Sequence, residues 1–270
     1  MVDRHGERYT HGFHESVLRA HSWRTVENSA AYLIPHLESG STILDIGCGP
    51  GTITVDLARR VAPGRVLGLD ASAEVIEVAR AFAADSGVAN VEFAVGDAYA
   101  LDFPDDGFDI VHAHQVLQHV ADPVAVLREM RRVVRREGVV AARDVDYDGI
   151  IWHPQVPGLD RWRELYAQVH RANGGEPNAG RHLKAWALEA GFSDVVSTAS
   201  IWCFTSEEDR QWWGTMWEER TLQSGFATDA LSQGIATQSE LDEVAAAWRE
   251  WTVHPAGWMA MPHGEILGRG

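Results

Sequence analysis

The chain has 270 residues, long for one minimal domain and short for two, and its 45% apolar and 23% charged residues suit a globular protein that needs no disulfide or metal to fold. Lys and Arg total 23 against 39 Asp and Glu, a net charge of −16, which disfavours nucleic acid or an anionic membrane surface as partner. Two cysteines make neither a disulfide framework nor a zinc site of their own, the N-terminus lacks a signal-peptide core, and no stretch reaches ~18 uninterrupted apolar residues, so the expected compartment is the cytoplasm.

In chain order, residues 11–38 read as two helices, with Trp23 and Arg24 at the joint. Thr42–Ile46 is a strand candidate, followed by a helix over 51–61. Arg65–Asp70 is a second strand, and Ser72 can cap the helix over 73–85 that Gly87 ends. Val91–Val95 and residues 108–113 are the third and fourth strands. Asp122 and Pro123 open a helix with Val126, Leu127, Met130, Val133 and Val134 on one face. Gly138 is expected to stop it, before a fifth strand at 139–142. Ten of the eleven tryptophans then fall between Trp152 and Trp258, a shift in composition after about residue 150. Helices are expected over 160–170, 181–190, Glu207–Gln223 and 239–251, with strands at Asp194–Phe204 and 258–261.

Alternating strands and helices with few polar breaks in the strands predict an α/β, doubly wound Rossmann-like sheet, mostly parallel and buried on both faces. Ligands of such sheets bind beyond the strand C-termini, where strand order reverses. We read a single domain: an N-terminal helical cap (1–39), a binding core (40–150), and a substrate-side half with helical insertions forming a lid (151–270).

The informative stretch is Asp45-Ile46-Gly47-Cys48-Gly49-Pro50-Gly51, between a strand and a helix. Its glycines let backbone turn tightly against a ligand. The spacing is G-x-G-x-G, not the G-x-G-x-x-G of dinucleotide enzymes, and Asp45 would repel a pyrophosphate but suit a cationic amino group. Asp70 ends the second strand, where a carboxylate can accept from ribose hydroxyls. Asp97, in Gly96-Asp97-Ala98 after the third strand, can accept from an exocyclic amine. Three carboxylates without a basic cradle suit a ligand of amines and hydroxyls, which S-adenosyl-L-methionine is.

These residues resemble the first three motifs of class I S-adenosylmethionine-dependent methyltransferases, and 101–111 with 117–123 resembles the UbiE-like branch. The resemblance covers residues 40–145. It implies a seven-stranded sheet with the last strand antiparallel. It also implies a cofactor site built from Asp45, Gly47, Cys48, Gly49, Asp70 with Ala71 and Ser72, and Gly96, Asp97 and Ala98. His114 would lie near the sulfonium and Arg24 could pair with the cofactor carboxylate.

Asp109 starts the fourth strand, far from the strand C-termini, and is read as structural; Cys48 is read as a small buried filler. His114 and His119 are candidates for deprotonating a substrate, with His14 and Asp144 as outsiders. No spacing of metal ligands occurs, so no metal is expected. Trp213 and Trp217 share a helix face and could line an apolar or aromatic acceptor pocket, or make a homodimer surface. The expected reaction is methyl transfer to a small, apolar or aromatic molecule. A non-catalytic nucleoside-binding protein and an NAD-dependent oxidoreductase are the alternatives.

Overall fold

The computed structural model describes residues 23–269, so His14 and most of the first predicted helix lie outside the described residues. An eight-stranded sheet carries the fold: β1 (Thr42–Ile46), β2 (Arg65–Asp70), β3 (Val91–Val95), β4 (Phe108–His114), β5 (Val134–Val145), β6 (Ile151–His153), β7 (Asp194–Phe204) and β8 (Trp258–Arg269). The helices are α1 (Thr52–Val61), α2 (Ala73–Asp85), α3 (Pro123–Val133), α4 (Pro157–Ala172), α5 (Ala179–Glu189), α6 (Glu207–Gln223), α7 (Gly225–Ser232) and α8 (Gln238–Val253). No helix among the described residues is long and apolar enough to cross a membrane.

Across the sheet the order is β3-β2-β1-β4-β5-β8, with β7 on the far edge of β8 and β6 beside its first residues. β1 to β5 are mutually parallel, and β8 runs antiparallel to all three of its neighbours. The chain steps outward from β1 to β3 and then returns to the other side of β1, so strand order reverses between β1 and β4. The expected antiparallel last strand is present. The eighth strand is β6, three residues that the sequence pattern did not reveal.

One face of the sheet packs Leu44, Val111, Val140 and Ile266 against α3 and α5; the other packs Ile43, Ile110 and Ala141 against α1 and the segment before β1. That segment is a single helical turn, Val26–Ser29, capped by Thr25, and a 3-10 helix, Ala31–His36, rather than one long helix. A third core packs Trp162, Trp213, Trp217, Trp248 and Trp251 with Val145 and Phe204, so α4, α6 and α8 form a layer beyond the C-terminal ends of β5 and β7. Trp213 and Trp217 do share a face, with ring centroids 6.2 Å apart. Both are buried, so they build this core instead of lining a pocket.

Two predicted boundaries move, and at each a glycine allows a close backbone approach. The helix after Pro123 ends at Val133, not Gly138, and β5 begins at once with an irregular register: Phe108 faces Val134 while Ile110 faces Val139. Gly138 lies where a Cβ would be 2.5 Å from Asp109 O, so it serves this close approach and not a helix end. β8 runs on to Arg269 through Pro262 and Gly264, which read as strand breakers. A Cβ on Gly264 would lie 1.9 Å from Gly180 O, so α5 crosses the strand there in backbone contact. Asp109 is structural as expected: it accepts from Thr42 N and Oγ1, both at 2.7 Å, tying β4 to β1.

Candidate functional site

The C-terminal ends of β1, β2 and β3 converge on the glycine loop. Gly47 has φ +64°, and a Cβ there would meet Val116 Cγ2 at 2.3 Å. Cys48 N donates to Leu69 O (3.0 Å), and its side chain is buried beside Val55, Ile76 and Phe93. Burial raises its thiol pKa, followed by the carboxylates of Asp45 and Asp70, in keeping with an inert filler.

Asp70 fastens this edge together. Its Oδ2 accepts from Gly49 N (3.1 Å) and its Oδ1 from Ser72 N (3.0 Å), so one carboxylate holds both the glycine loop and the turn through Ala71 and Ser72 into α2. Burial raises its pKa against these backbone donors. Gly96 N donates to Asp70 O (3.0 Å), which brings the Gly96-Asp97-Ala98 turn alongside. Asp97 Oδ1 accepts from Tyr99 N (2.9 Å).

Asp45 is buried, and both its oxygens are engaged by protein: Thr54 Oγ1 donates to Oδ2 (2.6 Å), and His112 Nδ1 lies 2.7 Å from Oδ1. It stands behind the loop as a brace between β1, β4 and α1.

His114 closes β4 with 5% of its surface exposed, and neither ring nitrogen has a hydrogen-bond partner. Burial, then the charges of Arg24 and Arg143, hold it well below the usual imidazole range, so it is neutral at pH 7. Its ring lies 5.6 Å from Trp202 and 6.2 Å from His263.

The next residue, Gln115, has φ +54°, a conformation uncommon for a non-glycine residue. Its Oε1 accepts from Arg24 Nη2 (2.6 Å), and its Nε2 lies 2.9 Å from His263 Nε2. His263 Nδ1 lies 3.0 Å from Met261 O, so Nδ1 carries the proton and Gln115 donates to Nε2. A chain of hydrogen bonds thus fixes Arg24, through Gln115 and His263, to β8.

Asp144 alternates with Arg143 and points to the opposite sheet face from His114, beneath the turn that carries His119. Its Oδ1 accepts from Gln118 N (3.2 Å), and burial pushes its carboxyl up to about 7. His119 lies on His170, with centroids 4.9 Å apart, while His170 Nε2 donates to Gln118 O (2.7 Å). The two predicted proton carriers therefore separate. His114 belongs to the Arg24 side, and Asp144 braces the His119 turn.

Gln115, Trp202, His263 and the Arg143–Glu265 pair were not anticipated. Arg143 carried a signal, as a charge at the end of the apolar run 139–142. Gln115 and His263 carried none, since their roles come from a backbone angle and a strand that reads as broken.

The buried groups predict an acid transition. Burial depresses His114, His119, His263 and His170, the last to about 4, so the unfolded chain protonates these residues first as pH falls below about 6.5. Their stabilisation is complete above that pH and is lost as pH falls toward the folded values. Asp144 opposes this, because its raised pKa lets the folded state hold a proton that the unfolded state releases. Four histidines outnumber the two buried carboxyls, Asp144 and Asp70, whose pKa values burial raises, so the unfolded state takes up more protons and stability falls as pH falls. Urea midpoints measured from pH 7 to 4.5 are expected to fall steeply below about pH 6; a rise would contradict this burial pattern.

A family model described as a methyltransferase domain matches residues 37–212. The chain is 34% identical over 267 residues to an uncharacterised methyltransferase of Schizosaccharomyces pombe, covering 96% of this chain and 95% of that protein. It is 31% identical over 280 residues to a probable methyltransferase of Aspergillus luteorubrus, covering 96% of each. The crystal structure of the YcgJ protein of Bacillus subtilis shares the fold, with TM-score 0.59 and 21% identity over 88% of this chain and 97% of that one.

Proposed function

The chain belongs to the methyltransferase domain family and has the class I fold, and we propose that it transfers a methyl group from S-adenosylmethionine to a small, apolar or aromatic acceptor. The observation that carries the reading is Asp70, a carboxylate at the strand-order reversal that ties the glycine loop to the next turn. It suits a ribose diol, and no basic side chain on these turns offers a phosphate cradle.

The donor set fits the cofactor. Gly47 to Gly49 present backbone without side-chain bulk, and Asp97 with the Ala98 N–H suits an adenine edge. Arg24, held by Gln115, suits the carboxylate. When bound, S-adenosylmethionine supplies an electrophilic methyl on a sulfonium. The chain's own task is alignment and exclusion of water. His114 is neutral and buried, and its unpartnered ring nitrogen can accept a hydrogen bond from an acceptor hydroxyl or amine, while burial and the nearby arginines disfavour its full protonation. Trp23 and Trp202 supply flat apolar wall on the same side.

Isothermal titration with S-adenosylhomocysteine tests the reading. The wild-type chain is expected to bind it. Asp70→Ala is expected to bind about 5- to 150-fold more weakly, the loss of hydrogen bonds to a charged acceptor worth roughly 1–3 kcal/mol. Binding of NAD but not S-adenosylhomocysteine would overturn the proposal, and an unchanged Asp70→Ala affinity would remove the ribose assignment.

A further inference from the structure

Gln115 holds a left-handed backbone, φ +54°, just after β4, and its N–H donates to Arg143 O (2.7 Å). Such a conformation in a non-glycine residue persists where surrounding contacts fix it, and it gathers at functional sites. Here the fixing contacts include the side chain, which joins partners from opposite ends of the chain. Its Oε1 accepts from Arg24 Nη2 (2.6 Å), and its Nε2 stands 2.9 Å from His263 Nε2. The next residue, Val116, is the one that packs against Gly47 of the glycine loop. Arg24 is therefore anchored one residue away from the segment that shapes the loop.

His263 decides which way the Gln115 amide faces. The imidazole is fully buried, with its ring centroid 4.4 Å from that of Trp202. Met261 O, 3.0 Å from Nδ1, can only accept, so Nδ1 bears the proton and Nε2 is left as an acceptor. Burial, then the charge of Arg143, holds this ring well below the usual imidazole range, so Nε2 stays unprotonated at neutral pH. Nε2 takes a hydrogen bond from the NH2 of the amide, and the amide oxygen is turned to Arg24. A reversed amide would set NH2 against the guanidinium, donor against donor.

The neutrality of both groups matters. A carboxylate in place of the amide would hold Arg24 but cancel its charge. The amide oxygen fixes the guanidinium and leaves that charge to attract a ligand.

On the reading of this site as one for S-adenosylmethionine, on which this inference rests, we propose that Gln115 and His263 are positioning residues for carboxylate recognition: His263 orients the Gln115 amide, and the amide oxygen holds Arg24 beside the glycine loop for the carboxylate of the cofactor. Selection for the amino-acid end of the cofactor then depends on the residues behind the arginine.

Methylthioadenosine has the nucleoside and the sulfur but no carboxylate, so it separates positioning from support of the fold. It and S-adenosylhomocysteine are titrated calorimetrically into the whole chain. Gln115→Met is expected to bind S-adenosylhomocysteine about tenfold more weakly than wild type does, the loss of one charge-assisted hydrogen bond, and methylthioadenosine within about twofold of wild type. His263→Phe, which keeps a ring on Trp202 but has no acceptor, should show the same split between the ligands. His263→Gln, whose amide oxygen can stand in for Nε2, should restore the affinity for S-adenosylhomocysteine. Equal weakening of both ligands, or an unchanged affinity for S-adenosylhomocysteine in Gln115→Met, overturns the proposal. If these variants do not fold, nitrogen-15 NMR of the wild-type imidazoles decides. His263 is expected as the Nδ1–H tautomer at pH 7, and an Nε2–H tautomer or an imidazolium overturns the proposal. A wild-type chain that binds no S-adenosylhomocysteine loses the cofactor reading and this proposal together, whereas one that binds it without the split in the variants loses the proposal alone.

Discussion

Gly47→Val is expected to lower the affinity for S-adenosylhomocysteine about a hundredfold or more while leaving far-ultraviolet circular dichroism near native. Two effects combine. The residue has φ +64°, which costs an L side chain roughly 1–2 kcal/mol and a β-branched one more. A Cβ there would also sit 2.3 Å from Val116 Cγ2, so either the glycine loop or the segment after His114 must move. Together these reach about 3 kcal/mol, a factor of about a hundred in binding. Adding Val116→Ala to the same chain should recover part of the loss, because it relieves the overlap but not the backbone strain. Calorimetric titration decides: an affinity within threefold of wild type would mean that the loop does not touch the ligand.

Trp217→Ala is expected to cost about 3–5 kcal/mol of stability without weakening cofactor binding more than twofold. Trp217 is fully buried, and its ring lies 4.7 Å from Trp162, 5.5 Å from Tyr166 and 5.8 Å from Trp248. Truncation would leave a hole among rigid aromatic neighbours that cannot collapse to fill it. A urea titration followed by circular dichroism measures the loss. A change below 1 kcal/mol would show that this layer is loosely packed.

The cofactor half of the fold was legible because it obeys local rules. Ser72 caps α2 by accepting from Val75 N (3.3 Å), and Asp122 caps α3 by accepting from Ala125 N (2.9 Å), as their positions before apolar runs foretold. β7 and α6 match the predicted ranges residue for residue. The misses have a different origin. β6 gains its identity only from pairing with residues 258–260 of β8, a partner more than a hundred positions away. α7 is eight residues long and starts at Gly225, straight after Ser224, where glycine and serine read as a loop.

The site divides in the same way. Gly47, Asp70 and Gly96-Asp97-Ala98 sit at strand ends, so topology alone gathers them. Gln115, His263 and Arg143 meet through side chains from β4, β5 and β8, and no pattern along one strand announces that meeting. Asp45 shows the limit from the other side. Its position suggested a ligand contact, but not the bracing role the structure gives it, with Thr54 Oγ1 donating to one oxygen and His112 Nδ1 beside the other.

The tryptophans have an optical consequence. None lies between Trp23 and Trp152, so the strands and turns around Asp70 hold no indole, whereas nine of the eleven belong to or touch the core of α4, α6 and α8. Emission excited at 295 nm therefore reports that aromatic layer and is silent about most of the nucleoside-facing half. If the two halves melt separately, fluorescence alone would record a single clean transition and miss the other.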